Sequence, residues 1–326
     1  MARITMVEAL NQALLQEMGR DERVIVLGED VGRNGGGFRV TEGLFKKFGG
    51  ERVIDTPLAE SAIIGSAIGL AVAGFRPVAE IQFSGFLPSG FDQLISHASR
   101  MRHRSRSGYT VPMVVRCPYG GGVHALEHHS ESFEAAYAHI CGLKVVIPSR
   151  PFDAKGLLTE AIRDPDPVLF MEPKKVYRSI KEDVPEEEFT IHLGEGNIVR
   201  EGADATVVAW GSMVKTCLEA AEQSDADLEV IDLRTIKPFD RRLILQSVKK
   251  TRRLVVAHEA TKTGGWGAEI AASVAESPVW KLLKSPIVRV ASPDVVVPLP
   301  QYEKYFFPDI EQVLHAVGRV MSGGEQ

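Results

Sequence analysis

Three cysteines in 326 residues, Cys117, Cys141 and Cys217, stand far apart and make no C-x-x-C pair. Neither a disulfide framework nor a cysteine zinc site fits, and a reducing compartment is expected. Long apolar runs are equally scarce. The longest, Ala62 to Phe75, is interrupted by Ser66 and three glycines; a membrane span needs roughly twenty residues, so this stretch reads as a core helix. Positive charge is not in excess, since 38 Lys and Arg against 43 Asp and Glu leave a net charge of −5. That suits solubility and not general binding to phosphate backbones. The one basic run, Ser99 to Ser107, follows a helical stretch whose C-terminal dipole favours cations, and it lacks interleaved aromatics. No nucleic acid and no membrane are expected as partners. Also missing are a P-loop, a G-x-S-x-G elbow, a G-x-G-x-x-G turn and an acidic motif suited to a magnesium diphosphate. MARITMVEALNQALL enters an amphipathic pattern at once, without a basic leader or small-residue cleavage site, which predicts a cytoplasmic chain.

What is present is an ordinary globular composition, 44% hydrophobic and 25% charged, long enough for two domains at roughly 150 residues each. Short β-branched runs alternate with helical patterns. Thr5 caps a helix through Gly19; strands follow at Arg23–Asp30, Arg76–Phe83, Val111–Tyr119, Leu143–Ser149 and Pro167–Pro173. Between them lie helices at Ser61–Ala73, Gly90–Arg102, Ser132–His139 and Phe152–Asp164. This alternation predicts an α/β fold, a doubly wound and mostly parallel sheet. From Lys181 to Gly202 the chain turns charged and Pro/Gly-bearing, as a crossing between units does. The expected division is 1–185, a linker at 186–202, and a second, smaller α/β unit at 203–326, with strands in DATVVAWGS, LEVIDLR, RRLVVAHEA and SPIVRVAS.

Two stretches carry chemistry. In RVIDTPLAESAIIGSAIGLAVAGF a strand ends at Asp55, Pro57 stiffens a turn and Glu60 opens a helix. The helix dipole alone accounts for a carboxylate there, by roughly 0.3–1 kcal/mol. The helix beyond it is almost wholly apolar, however, and Gly65 and Gly69 lie one turn apart, as at a close interface. A carboxylate bordering such a surface is partly desolvated, which suits an acid or proton shuttle. The second stretch, GGGVHALEHHSES, gathers His124, Glu127, His128 and His129 in one glycine-rich loop. A His-x-x-x-His metal pair is one reading, weakened by the lack of a third ligand nearby; a histidine serving as general acid or hydrogen-bond donor in a cleft is the other. Adjacent His128 and His129 point different ways, so one of them at least faces solvent.

On these residues the chain resembles the β subunit of the thiamine-dependent decarboxylating component of 2-oxoacid dehydrogenase complexes, of pyruvate or branched-chain type. The motifs run in fixed order almost end to end: LGEDVG, DTPLAE with the glycine helix, EIQF, GGGVHALEHHSES, GLKVVIPS, DAKGLL, IRDPDP, VIDLRTIKPFD and HEATKTGG. The resemblance implies a thiamine-pyrimidine-binding domain followed by a transketolase C-terminal-like domain. It implies that Glu60 hydrogen-bonds the aminopyrimidine of thiamine diphosphate and promotes the tautomer that removes the thiazolium proton. By the same resemblance Leu58, Gln82 and Phe86 line the pyrimidine pocket, and His129 faces the 2-oxoacid substrate and the transfer of its acyl group to a lipoyl-bearing acyltransferase. It also implies an α subunit in a heterotetramer of two α and two β chains, supplying the magnesium and diphosphate site, and a potassium ion on carbonyls at Met113, Ala161, Ile162, Asp164 and Asp166. An ordinary turn is the alternative for that last loop. Two further readings share the fold: half of a split transketolase or deoxyxylulose phosphate synthase, where HHSES has no counterpart, and a non-catalytic scaffold, which would not need both Glu60 and His129.

Overall fold

The computed structural model describes residues 2–323. Its strands, in chain order, are β1 (Ala2–Ile4), β2 (Val24–Gly28), β3 (Val53–Asp55), β4 (Arg76–Glu80), β5 (Val114–Tyr119), β6 (Lys144–Val146), β7 (Val168–Pro173), β8 (Glu182–Val184), β9 (Asn197–Arg200), β10 (Ala205–Ala209), β11 (Leu228–Asp232), β12 (Thr235–Lys237), β13 (Leu254–Thr261) and β14 (Val288–Ser292). A seven-stranded sheet has the order β12-β6-β7-β5-β4-β2-β3, a five-stranded sheet the order β14-β13-β10-β11-β9, and β1 pairs with β8. Pairing within the two large sheets is parallel except where β12 meets β6 and β9 meets β11. Strands β2, β5, β7, β10 and β11 are buried along their whole length. Helices on both faces require this, and it is why these strands read as continuous Val/Ile runs instead of alternating ones.

The carboxyl ends of the central strands are tied by a buried charge cluster. Arg116 on β5 donates to Glu80 on β4 at 2.7 Å and to Glu172 on β7 at 2.7 and 2.9 Å, and Tyr177 donates to Glu172 at 2.6 Å. Burial pushes the Glu80 carboxyl upward, while the Arg116 guanidinium is held charged by both carboxylates. Breaking one partner of such a group typically costs about 3–5 kcal/mol.

Thr5 caps the Met6–Arg20 helix in a capping box, its side chain accepting from the Glu8 amide while Glu8 accepts from the Thr5 amide at 2.7 Å. The Glu60–Val72 helix turns Ile63, Ile64, Ala67, Ile68 and Ala71 inward and leaves Ser61, Ala62, Ser66, Gly69 and Val72 exposed. Expectation and structure part in three places. The single helix expected over Gly90–Arg102 is a chain of short turns, Ser84–Gly90, Gln93–His97, Ala98–Arg100 and Met101–Arg104, the second a wide turn. This segment bends around the Glu60–Val72 helix, where a Cβ at Gly90 would strike Ile64. Strand β9 lies within the stretch expected to be linker; as an edge strand it is held by backbone pairing and needs no apolar face. Strand β12 leaves the second half of the chain and completes the first sheet at β6.

Candidate active site at the carboxyl ends of the first sheet

Parallel register sets Gly28 level with both Asp55 and Glu80. The segments that follow β2, β3 and β4 therefore leave the sheet at one end, where open α/β sheets bind ligands. These segments carry Glu29, Leu58 with Glu60, and Gln82 with Phe86. The loop after β5 brings His129 to the same end.

Glu60 is the first residue of its helix, and its N-cap, Ala59, has no side-chain hydrogen bond to give. The first-turn amides thus lack an internal cap, which favours an anion or hydrogen-bond acceptor beside them. A groove of about 650 Å³ opens here, lined by Glu60, Ser61, Gly65, Ser66, Ser89 and Gln93. Glu29 is a residue that sequence reasoning passed over as turn chemistry. Its carboxyl is raised by burial and by the neighbouring carboxylates of Asp30 and Glu60. The signal was LGED itself, an acidic pair placed directly after a buried strand.

Aromatic rings build the adjoining wall. The ring of Phe83 lies 4.4 Å from that of His129 and 5.9 Å from that of Phe86, and Phe86 lies 5.4 Å from His129, all edge to face. Gly85 allows this approach, because a Cβ there would collide with the His128 carbonyl. His129 Nδ1 is buried and has no protein partner. His128 turns away, its side chain 62% exposed and its Nδ1 3.8 Å from Glu131. Gln82 is half-buried, whereas Leu58 is 69% exposed, an apolar side chain standing open at the mouth of the site. Lys174 closes the back of the loop, donating to the carbonyls of Gly120 at 2.5 Å and of His129 at 2.6 Å.

The His-x-x-x-His pair does not form. His124 Nδ1 lies 3.2 Å from Glu303, while His128 faces Glu131. Among the described residues no group of three or more His, Cys, Asp or Glu is placed to hold a metal ion.

Residues 2–179 match the family model for the transketolase pyrimidine binding domain, and residues 194–313 that for the transketolase C-terminal domain. The pyruvate dehydrogenase E1 component subunit beta of Acholeplasma laidlawii is 52% identical over 316 residues, covering 96% of each chain. The subunits of the same description from Staphylococcus epidermidis and Bacillus subtilis are 50% and 48% identical, the latter covering 98% of this chain and 99% of its own. The chain belongs to the family of pyruvate dehydrogenase E1 beta subunits. It is therefore a β subunit of the thiamine diphosphate-dependent 2-oxoacid dehydrogenase kind, and the expected architecture, a pyrimidine-binding α/β domain followed by a transketolase C-terminal domain, is the one present. A solved structure described as a split gene transketolase, inactive beta4 tetramer, superposes with a TM-score of 0.80 over 99% of this chain and all of its own; at 24% identity it shares the fold. No helix among the described residues is long and apolar enough to cross a membrane.

Of the five residues expected around potassium, Met113 lies just before β5, Ala161 and Ile162 in the last turn of the Pro151–Arg163 helix, and Asp164 and Asp166 in the loop entering β7. The Met113 carbonyl accepts from the Val168 amide at 3.0 Å, that of Ala161 from Asp164 at 3.3 Å, and that of Ile162 from Arg76 at 2.8 Å. The Asp164 carboxylate pairs with Lys144, and that of Asp166 with Arg102 at 2.6 Å. A carbonyl has a second lone pair, so the backbone oxygens retain capacity for a monovalent cation.

Proposed function

We propose that this chain is the β subunit of a cytoplasmic pyruvate dehydrogenase, which with an α subunit decarboxylates pyruvate oxidatively and passes the acetyl group to lipoyl groups of an acyltransferase component. The relatives' description as pyruvate dehydrogenase supports pyruvate over a branched-chain 2-oxoacid. The observation that carries the reading is the placement of Glu60 at an uncapped helix start, at the same sheet end as the Phe83, Phe86 and His129 rings.

The residues fit the pyrimidine end of thiamine diphosphate: a carboxyl, an aromatic and apolar wall, and an orphaned buried imidazole nitrogen. Glu60 would hydrogen-bond a ring nitrogen of the pyrimidine and move the proton at that atom. Leu58, Gln82 and Phe86 would orient the ring, Phe86 by stacking and Leu58 by burial once a partner covers it. His129 would present Nδ1 or its ring edge to the 2-oxoacid and donate to the oxygen on which negative charge develops. When bound, thiamine diphosphate supplies the electron sink for loss of carbon dioxide.

The diphosphate and its magnesium are assigned to the α subunit, in a heterotetramer built around a contact between two β chains. Potassium is assigned to the carbonyls of Met113, Ala161, Ile162, Asp164 and Asp166, as a fastener for the loop entering β7. The functional division follows 1–185, 186–202 and 203–326, with β9 and β12 crossing its bounds. Co-expression with the α subunit, followed by assay of a panel of 2-oxoacids with an artificial electron acceptor, tests the reading; pyruvate is expected to turn over fastest. Glu60→Gln should keep the fold and lower turnover on the order of a hundredfold or more. Exchange of the thiazolium proton at the wild-type rate in that variant would remove Glu60 from its role.

A further inference from the structure

We infer that Lys174 is the positioning residue for His129, tying both ends of the glycine-histidine loop to one point and so fixing the imidazole in the cleft. The inference rests on the function proposed above. Lys174 follows β7 directly and is only 4% exposed. Lysine is seldom buried so completely unless its charge is well partnered. Here the partners are two carbonyls separated by the whole loop, that of Gly120, just after β5, and that of His129 itself. The same ammonium sits 5.5 Å over the ring of Phe83, against which the His129 imidazole packs. One cation thus touches the start of the loop, its end and the ring that backs the histidine.

Backbone bonds also close this loop, Gly120 donating to the Glu131 carbonyl at 3.1 Å and His129 to that of Leu126 at 2.9 Å, but Lys174 is a side chain that joins Gly120 to His129 itself. Gly122, Val123, His124, Leu126 and His128 are exposed, and the span's polar tie to the second half of the chain runs from the Gly121 backbone to Glu259 and from the Gly122 amide and His124 to Glu303. That tie anchors the far side of the loop to the second half of the chain, away from the aromatic wall. The ammonium is pulled down to about 8 by burial, against the opposing pull of Glu259 and Glu303. Lys174 is therefore charged at neutral pH, and its carbonyl contacts are charge-assisted. Removal would leave His129 held by its ring contacts and its backbone bond to Leu126, and a misplacement of about 1 Å at a reacting centre can cost about a hundredfold.

The test is a double-mutant cycle on the assembled enzyme with its α subunit, reading single-turnover acylation by pyruvate together with hydrogen exchange of the amides of residues 120–130. Lys174→Met should slow acylation about tenfold to a hundredfold, leave the Kd for thiamine diphosphate unchanged, and raise loop exchange. In a His129→Ala background the same change should cost almost nothing further, since only the positioned group is lost. Lys174→Gln, which keeps a donating NH2 group without the charge, goes through the same cycle and decides the matter if the Met variant does not fold. Additive losses, or loop exchange equal to wild type, overturn the role of Lys174. Failure of the wild-type enzyme to turn over pyruvate overturns the proposed function instead, and loop exchange still decides whether Lys174 is the clamp.

Discussion

At the residue scale, the two histidines of HHSES offer a contrast within one dipeptide. His129 is packed against Phe83 and Phe86 with a free buried nitrogen, whereas His128 faces solvent. His129→Ala should lower pyruvate-dependent acylation by about 10²-fold or more, and His128→Ala should leave it within a few-fold; equal losses in single-turnover assays would count against the assignment. A second titratable group lies behind this loop. Glu134 is fully buried, accepts from Trp210 Nε1 at 3.2 Å, and is pushed up to about 7 by burial. Its folded-state value lies above the ordinary 4.5, so the native state holds the proton more tightly than the unfolded chain. The stability this contributes is complete below about 4.5 and is lost as pH rises through 7. Wild type minus Glu134→Gln, read as the difference in thermal midpoint, should therefore shrink between pH 5 and pH 7; a difference constant in pH would show that Glu134 does not titrate there. His258, stacked on Trp210 at 5.2 Å and pulled down by burial to about 4, acts in the opposite sense. Its contribution is present above about 6.5 and is lost as pH falls toward 4. Glu60 and His129 were legible because each sits beside a local signal, a strand-turn-helix junction and a glycine-rich loop. Glu29, Glu134 and Lys174 were not, because their meaning comes from burial by segments distant in sequence.

At the element scale, the Glu60–Val72 helix explains its own composition. One face packs Ile63, Ile64, Ala67, Ile68 and Ala71 into the core, and the other shows Ala62, Ser66, Gly69 and Val72 to the outside. Small residues at that spacing let another helix approach closely, which is the form expected of the contact between two β chains. No atom of this chain lies within 4 Å of a Cβ built at Gly69. Gly69→Leu should thus leave the thermal midpoint of the isolated chain nearly unchanged while blocking β-β pairing, as measured by sedimentation of the co-expressed subunits. Pairing at wild-type affinity would remove this face from the interface. Helices with a clear apolar period, such as Met6–Arg20 and Pro151–Arg163, stood in the sequence to within a residue or so of their bounds. The broken turns over residues 84–104 did not, since their bends answer to packing against the Glu60–Val72 helix and not to local propensity. Strands β9 and β12 escaped for a related reason: short edge strands are made by backbone pairing, and side-chain periodicity carries almost no trace of it.

At the scale of the whole molecule, the proposed function makes the site half of one. Glu60 lines a groove open to solvent, and Leu58, two residues before it, is exposed, as the proposed function requires of a surface that an α subunit would cover. The purified chain alone should bind thiamine diphosphate weakly, with a Kd above about a millimolar, and the co-expressed pair tightly; titration calorimetry with magnesium reads both. Micromolar binding by the chain alone would mean that the diphosphate ligands lie here after all. The pairing of β12 with β6 has a consequence for heredity. A gene cut at the charged stretch would separate the first sheet from its last strand, leaving the backbone of β6 bare and prone to pairing with other chains. The two halves resemble modules that recombination could trade, yet this last strand ties them together beside the Glu134–Trp210 and Gly122–Glu303 contacts. Exchange between relatives must therefore supply a strand equivalent to Thr235–Lys237 that still pairs with β6.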